Sequence, residues 1–150
     1  MSAAELKAKT LEGFERMFNQ GDLAFVDEAI DTTGTDHQEP LGTDFVTHLK
    51  EVITAMRGAF PDLHFEVHEV LAEGDIVATR STMTGTHRGR FMMGPLAAIP
   101  PTGNQIAVPH MHFFRYKGDR VVDLWHVWDT AKLMRQLEAP APDIRDGQET

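Results

Sequence analysis

Cysteine is absent from the 150 residues, which excludes disulfides, thiolate metal sites and a cysteine nucleophile and fits a reducing compartment. Also missing is any apolar run near the roughly 20 residues of a membrane span, and the opening MSAAELKAKT has no apolar stretch of the signal-peptide kind. The expectation is a soluble, cytoplasmic protein with no membrane partner. Basic residues are scarce: 14 Lys and Arg stand against 23 Asp and Glu, a formal charge of −9. Arg88 and Arg90 are isolated, so no basic patch offers itself to nucleic acid, and none is expected as a partner. The chain has no glycine-rich phosphate loop and no G-x-S-x-G elbow. Histidine, carboxylate and arginine remain as the tools for chemistry, and no cofactor is expected.

What is present suits one globular domain. The residues are 41% hydrophobic, and a chain of this length buries roughly 68–70% of its unfolded surface without staples. The domain is expected over residues 1–138, followed by a polar, proline-bearing tail over 139–150 (residues 138–150 read EAPAPDIRDGQET). Helical spacing of Leu6, Thr10, Leu11, Phe14, Met17 and Phe18 predicts a first helix over residues 3–19. Gly21 stops it, and Asp22 caps a second helix carrying Leu23, Val26, Ala29 and Ile30. Thr33-Gly34-Thr35 breaks the pattern, and TDHQEPLG reads as a loop containing His37 and Glu39. A third helix starts at Thr43 or Asp44, buries Val46, Leu49, Val52, Ile53 and Met56, and ends by Gly58 and Pro61.

Strands follow. Leu63, Phe65, Val67 and Leu71 alternate with His64, Glu66, His68 and Val70, which puts His64 and His68 on the wetter face. A second long strand spans residues 76–87 and carries Arg80, which either meets a polar ligand group in a cavity or pairs with an acidic neighbour. Residues 88–103 form a glycine- and proline-rich connection whose Phe91 and Met93 suit a lid, a dimer contact or packing over a sheet edge. Residues 104–137 then read as two strands, a tight turn and a short helix. Alternation puts His110, His112 and Phe114 on one face of the first strand, and Val122, Leu124, His126 and Trp128 on one face of the second. Val121, Asp123, Trp125 and Val127 share the opposite face. Whether the histidine faces coincide depends on the turn. A three-residue loop with left-handed Gly118 sets His126 beside His112, whereas a two-residue Gly118-Asp119 loop sets it beside Met111.

The segments GDIVATRSTMTGTHRG, IPPTG and HFFRYKGDRVVDLWHVWDTAKLMRQL, with FNQGDLAFVDEAI and AFPDLHFEV before them, resemble the SnoaL-like polyketide cyclase group of the nuclear transport factor 2-like superfamily. The resemblance implies an α+β fold: three N-terminal helices against a cone-shaped, curved, antiparallel sheet (a cystatin-like α+β barrel) around an apolar pocket. It also implies a homodimer and a small hydrophobic ligand. In those cyclases a histidine and an aspartate on the two hairpin strands act as the acid/base pair. The histidine falls on His112; the aspartate position holds His126, a departure, with Asp129 three residues further on.

The leading reading is a cofactor-free acid/base enzyme of cyclase, isomerase, lyase or hydrolase type, acting on a hydrophobic carbonyl compound. His126 removes a proton beside the carbonyl and His112 stabilises the developing enolate oxygen. Asp129 either orients His126 or caps the last helix. His110, Phe114, Trp128, His37, Arg80, Phe91 and Met93 are the candidate substrate contacts. Two alternatives stand beside it. One is a binding protein of the same fold that leaves its ligand unchanged. The other is a metal-dependent enzyme with His110, His112 and His126 as ligands, the spacing of three imidazole nitrogens in catalytic zinc and iron sites.

Overall fold

A computed structural model describes residues 1–138; the tail expected over 139–150 lies outside the described residues. Helix α1 (Ala3–Gly13) is capped by the Ser2 side chain, which accepts from the Glu5 N–H, and runs straight into a π-helical turn, Phe14–Asn19. Asp22 caps α2 (Leu23–Ala29), and Asp44 caps α3 (Phe45–Ala59) by accepting from the Thr47 N–H. All three start where a short polar side chain can satisfy a free backbone donor. Strands β2 (His64–Glu73), β3 (Ile76–Thr86), β4 (Gln105–Lys117) and β5 (Arg120–Trp128) make an antiparallel meander, and α4 (Thr130–Glu138) closes the described chain.

The reading of Thr33-Gly34-Thr35 as a break is corrected. Residues Ile30–Asp36 form strand β1, which pairs parallel to β5, so the sheet is mixed, in the order β1-β5-β4-β3-β2. Gly34 packs close to the Phe45 ring and the Val121 carbonyl, where a Cβ would sit 3.2–3.3 Å from each; the glycine permits the strand to approach rather than ending it. Helices lie against one face of the curved sheet, which is the α+β architecture expected.

Two bulges decide what the inner face carries. Lys117 pairs with Arg120 across the two-residue Gly118-Asp119 turn, Gly118 having φ 61°. That turn alone would set His126 beside Met111. The register shifts between Arg115 and Tyr116, however, so that Tyr116 faces Val121 while Arg115 faces Asp123, and Val122 is the extra residue. His112 therefore pairs with His126 after all. Val121, expected outside, is buried in the core. A second bulge at His68 turns β2 over in the same way: Phe65 is buried, but beyond the bulge Val70 packs inward and Leu71 is exposed, the reverse of the expected alternation.

The connection over residues 88–103 is anchored by Arg88 and Gly89, whose N–H groups donate to the Ala59 carbonyl. Phe91, Leu96 and Ile99 pack on the hydrophobic cluster around Phe60, Leu63 and Ile106. A Cβ on Gly89 would come within 2.3 Å of the Gly58 carbonyl oxygen, a backbone atom that cannot swing aside as a side chain could. Gly89→Ala is expected to destabilise the fold by about 1–3 kcal/mol, read as a lower urea midpoint; an unchanged midpoint would show that this contact is not tight.

Candidate functional site

The inner sheet wall carries a row of imidazoles. His110 and His112 stand two apart on β4, both more than nine-tenths buried, and His126 faces His112 across β5 with the rings 5.5 Å apart and 13° from parallel. Phe114 stacks on the other side of His112 at 5.6 Å, and Trp128 sits edge-on to His110 at 4.9 Å. Phe14, Phe18 and Phe65 cover the wall, Phe14 and Phe65 each with rings 5.1–5.3 Å from one imidazole. These aromatic neighbours exclude water, and burial disfavours the charged imidazole. It lowers His110 to about 3 and holds His112 well below the ordinary range, with the neighbouring imidazoles adding to both shifts. Neither nitrogen of His110, nor Nδ1 of His112, has a protein partner among the described residues.

His126 differs. Its Nε2–H donates to the Asp36 carboxylate at 3.3 Å, and its backbone N–H donates to Gln38 Oε1 at 2.9 Å. Asp36 is itself buried and accepts from the Gln38 N–H at 3.0 Å. Burial opposes ionisation of Asp36, but the bonds from His126 and Gln38, with the nearby His48, outweigh it and hold the carboxyl below its usual value. The pairing fixes the ring: with Nε2–H given to Asp36, Nδ1 keeps its lone pair. A carboxylate that orients an imidazole in this way is the arrangement of a general base.

His110, His112, His126 and Asp36 line a cleft of about 70 Å³, bounded by Phe18, Leu49, Val52 and Met56 and including a second imidazole–carboxylate pair, His48 with Glu39 at 3.0 Å. Phe18, Leu49, His112 and Leu124 also border an adjoining lobe of about 50 Å³, which is largely apolar, holds Phe14, Met17, Phe45 and Phe114, and has Lys9 on its border. Cleft and lobe thus share these four side chains as a common wall.

His112, His126, His110, Phe114 and Trp128 are brought together as expected, and the five other candidates sit elsewhere. The Asp129 carboxylate accepts from the Lys132 N–H, so it caps α4, and Asp36 takes the place beside His126. His37 lies across β5 from the cleft, bonded to Asp123 and stacked at 4.5 Å on Trp125. Arg80 is half-exposed and paired with Glu69, because Val77 and Met83, at odd positions, claim the inner face. Met93 lines a surface groove beside Lys50 and Thr54 on α3, and Phe91 packs on the hydrophobic cluster described above. The three-imidazole metal set is corrected too: among the described residues, the one group of metal-capable donors within 4.8 Å of each other is Asp36, Glu39 and His48. Asp36, Gln38, Glu39 and His48 were missed as site residues. His48 had a signal, lying four residues before Val52 on a face that otherwise buries apolar side chains.

The model of one protein family matches residues 8–137, and its description is SnoaL-like polyketide cyclase. The chain belongs to the SnoaL-like polyketide cyclase family. Among solved structures it is similar to TsrD from Streptomyces laurentii, with a TM-score of 0.80, 22% identity, and 93% of this chain and 98% of that one covered. AclR from Streptomyces galilaeus, named as a candidate hydroxylase, superposes with a TM-score of 0.77 at 27% identity over 99% of this chain and 90% of that one. IdmH from Streptomyces antibioticus, named as a candidate polyketide cyclase, gives 0.71 at 26% identity over 89% and 99%. Among curated proteins none matches the chain significantly. The nuclear transport factor 2-like α+β fold of this family is the one observed.

Keeping His110 neutral links this site to stability. An imidazole whose folded value is depressed contributes stability that is full above its unfolded value near 6.5 and is lost as pH falls toward the folded value. For this SnoaL-like chain the loss from His110 runs from about 6.5 down to about 3, with His112 and the depressed Asp36 acting in the same direction. Urea unfolding at pH 7 and pH 4.5 is expected to show a large fall in stability for the natural chain and a smaller one for His110→Leu. Equal falls would remove His110 from the account.

Proposed function

We propose that this protein is a polyketide cyclase-like enzyme that uses its own side chains for general acid/base catalysis on a small hydrophobic carbonyl compound. Family membership supports the cyclase-like role, and the pairing of Asp36 with His126 carries the mechanism. The apolar lobe takes the hydrocarbon body of the substrate, while its reacting carbonyl enters the polar cleft. His126 Nδ1 accepts a proton from the carbon beside that carbonyl; the C–H electron pair moves into the enolate, and Asp36 stabilises the imidazolium that forms. His112, held neutral by its surroundings, donates a hydrogen bond to the developing oxyanion. Removing a proton from carbon in water is hard because the anion that results is unstable, and a positioned neutral donor in a dry wall lowers that barrier.

The aspartate that the cyclases place on β5 is replaced by His126, and in this chain Asp36 on β1 supplies the carboxylate behind it. The outer sheet face exposes Met111, Phe113 and Val127, which supports the expected homodimer, as such a patch calls for cover. We take the protein to work in the cytoplasm; among the described residues no helix is long and apolar enough to cross a membrane.

With 2-tetralone as a probe ketone, α-proton exchange into D2O followed by NMR is expected to be accelerated by the protein, and His126→Ala is expected to lower that rate by about 10²–10⁴. Asp36→Asn is expected to lower it by at least about tenfold while leaving probe binding in place. Exchange by the natural chain no faster than by a folded His126→Ala variant would sink the assignment.

A further inference from the structure

The sheet register places Thr79 of β3 opposite His112 and Ser81 opposite His110. All four are buried, with relative exposures of 5%, 6%, 1% and 4% in that order. Thr79 Oγ1, Ser81 Oγ, both ring nitrogens of His110 and Nδ1 of His112 have no protein hydrogen-bond partner among the described residues. Five such atoms on two adjacent cross-strand pairs stand out, because buried polar groups in native proteins are nearly always partnered. Each unpaired group is left without the partner that water would give it, at a cost to stability, and a valine or alanine at either β3 position would remove that cost. Polar groups retained on a dry wall at the expense of stability are the signature of a binding surface.

We propose that His110 and His112, which line the cleft, backed by Ser81 and Thr79 opposite them on β3, form a subsite for an uncharged oxygen group of the ligand, a hydroxyl or a carbonyl, that discriminates against carboxylates. Hydroxyls and neutral imidazoles each offer a donor and an acceptor, which matches an alcohol, phenol or ketone oxygen. No lysine or arginine lines the cleft that His110 and His112 border, and Lys9 borders only the adjoining lobe, on the side of His112. The faces around them belong to Phe14, Phe65 and Trp128. A carboxylate here would lose its water and gain no cation, the costly case for a buried charge. Burial favours the uncharged form of both imidazoles, so they do not become the missing cations. The subsite shares with the proposed reaction only the premise that this cleft receives the substrate; it does not depend on which group removes a proton.

The test uses 2-naphthol and 2-naphthoate, one ring system with a neutral or an anionic oxygen group, titrated at neutral pH against the natural chain and followed by calorimetry and tryptophan fluorescence. Naphthol is expected to bind at least about tenfold more tightly than naphthoate, and Ser81→Ala and Thr79→Val each to weaken naphthol by up to about tenfold. The same two variants are expected to raise Tm by a few degrees, about 2–4 °C per kcal/mol at this size, since each removes an unpaired buried hydroxyl. Naphthoate binding as tightly as naphthol, or no naphthol binding, overturns the subsite. So does unchanged naphthol affinity in both variants, or a lowered Tm in both, which would mean that the hydroxyls serve packing or a buried water. His126→Ala and Asp36→Asn are expected to keep the preference for naphthol. Loss of proton exchange in them with that preference intact separates the fate of the subsite from that of the proposed reaction.

Discussion

Side chains alternate along a strand, so a single inserted residue turns over every side chain that follows it. Val122 is that residue in β5. The two-residue turn before it would by itself send His126 to the outer face beside Met111, and with it Leu124 and Trp128. The bulge reverses this, and the whole inner wall depends on it. Leu124 returns to the core, His126 meets His112, and Trp128 meets His110. Bulges also bend and twist the strand that carries them, so the feature that aims the histidines also helps to wrap the sheet around the cleft.

A second dependence runs through β1. Its parallel pairing with β5 brings Asp36 opposite Leu124, so that its carboxylate reaches His126. The three residues 36–38 straddle the β5 edge: Asp36 faces inward to the imidazole, His37 packs on Trp125 on the other side, and Gln38 grips the His126 backbone. Ring, carboxylate and main chain are therefore held by three contacts from one short segment. In the proposed role of base, an imidazole oriented from several directions at once has little freedom to lose when it reacts.

Much of this was legible in the sequence. The helices announced themselves through apolar spacing and, for the second and third, through Asp22 and Asp44 as caps, because both signals are local. The alternation of His110, His112 and Phe114 was equally plain. The position of Arg80 was readable too, for Val77 and Met83 share a parity that Arg80 lacks. What escaped depends on distant partners. Strand β1 has glycine and three threonines where a strand usually shows alternating hydrophobes, and its stability comes from β5, some 90 residues on, and from the helix beneath. A bulge leaves no local mark either, since Val122 and His68 look like ordinary strand residues until the facing strand is known. Asp129 misled for a related reason: an aspartate before a helix and an aspartate near a histidine look the same in one dimension, and only the backbone N–H of Lys132 decides between them.

The cleft is divided by charge, and the division constrains its chemistry. Toward the mouth lie Asp36, Glu39, His48 and His126, each with a polar partner. The floor carries His110 and His112, which burial keeps uncharged, beside two hydroxyls. In the proposed reaction a proton taken from a bound molecule rests at the mouth, on His126 against the Asp36 carboxylate, and not on the floor. In that reaction negative charge developing on the substrate would meet neutral donors on the wall, which stabilise an oxyanion without themselves ionising. Had the floor histidines been able to hold a proton, the cleft would bind anions in their ground state, and that affinity would be spent before the reaction began. Dryness, set by Phe14, Phe65 and Trp128, is what keeps the donors neutral and lets the site favour the charge that forms over charge that arrives.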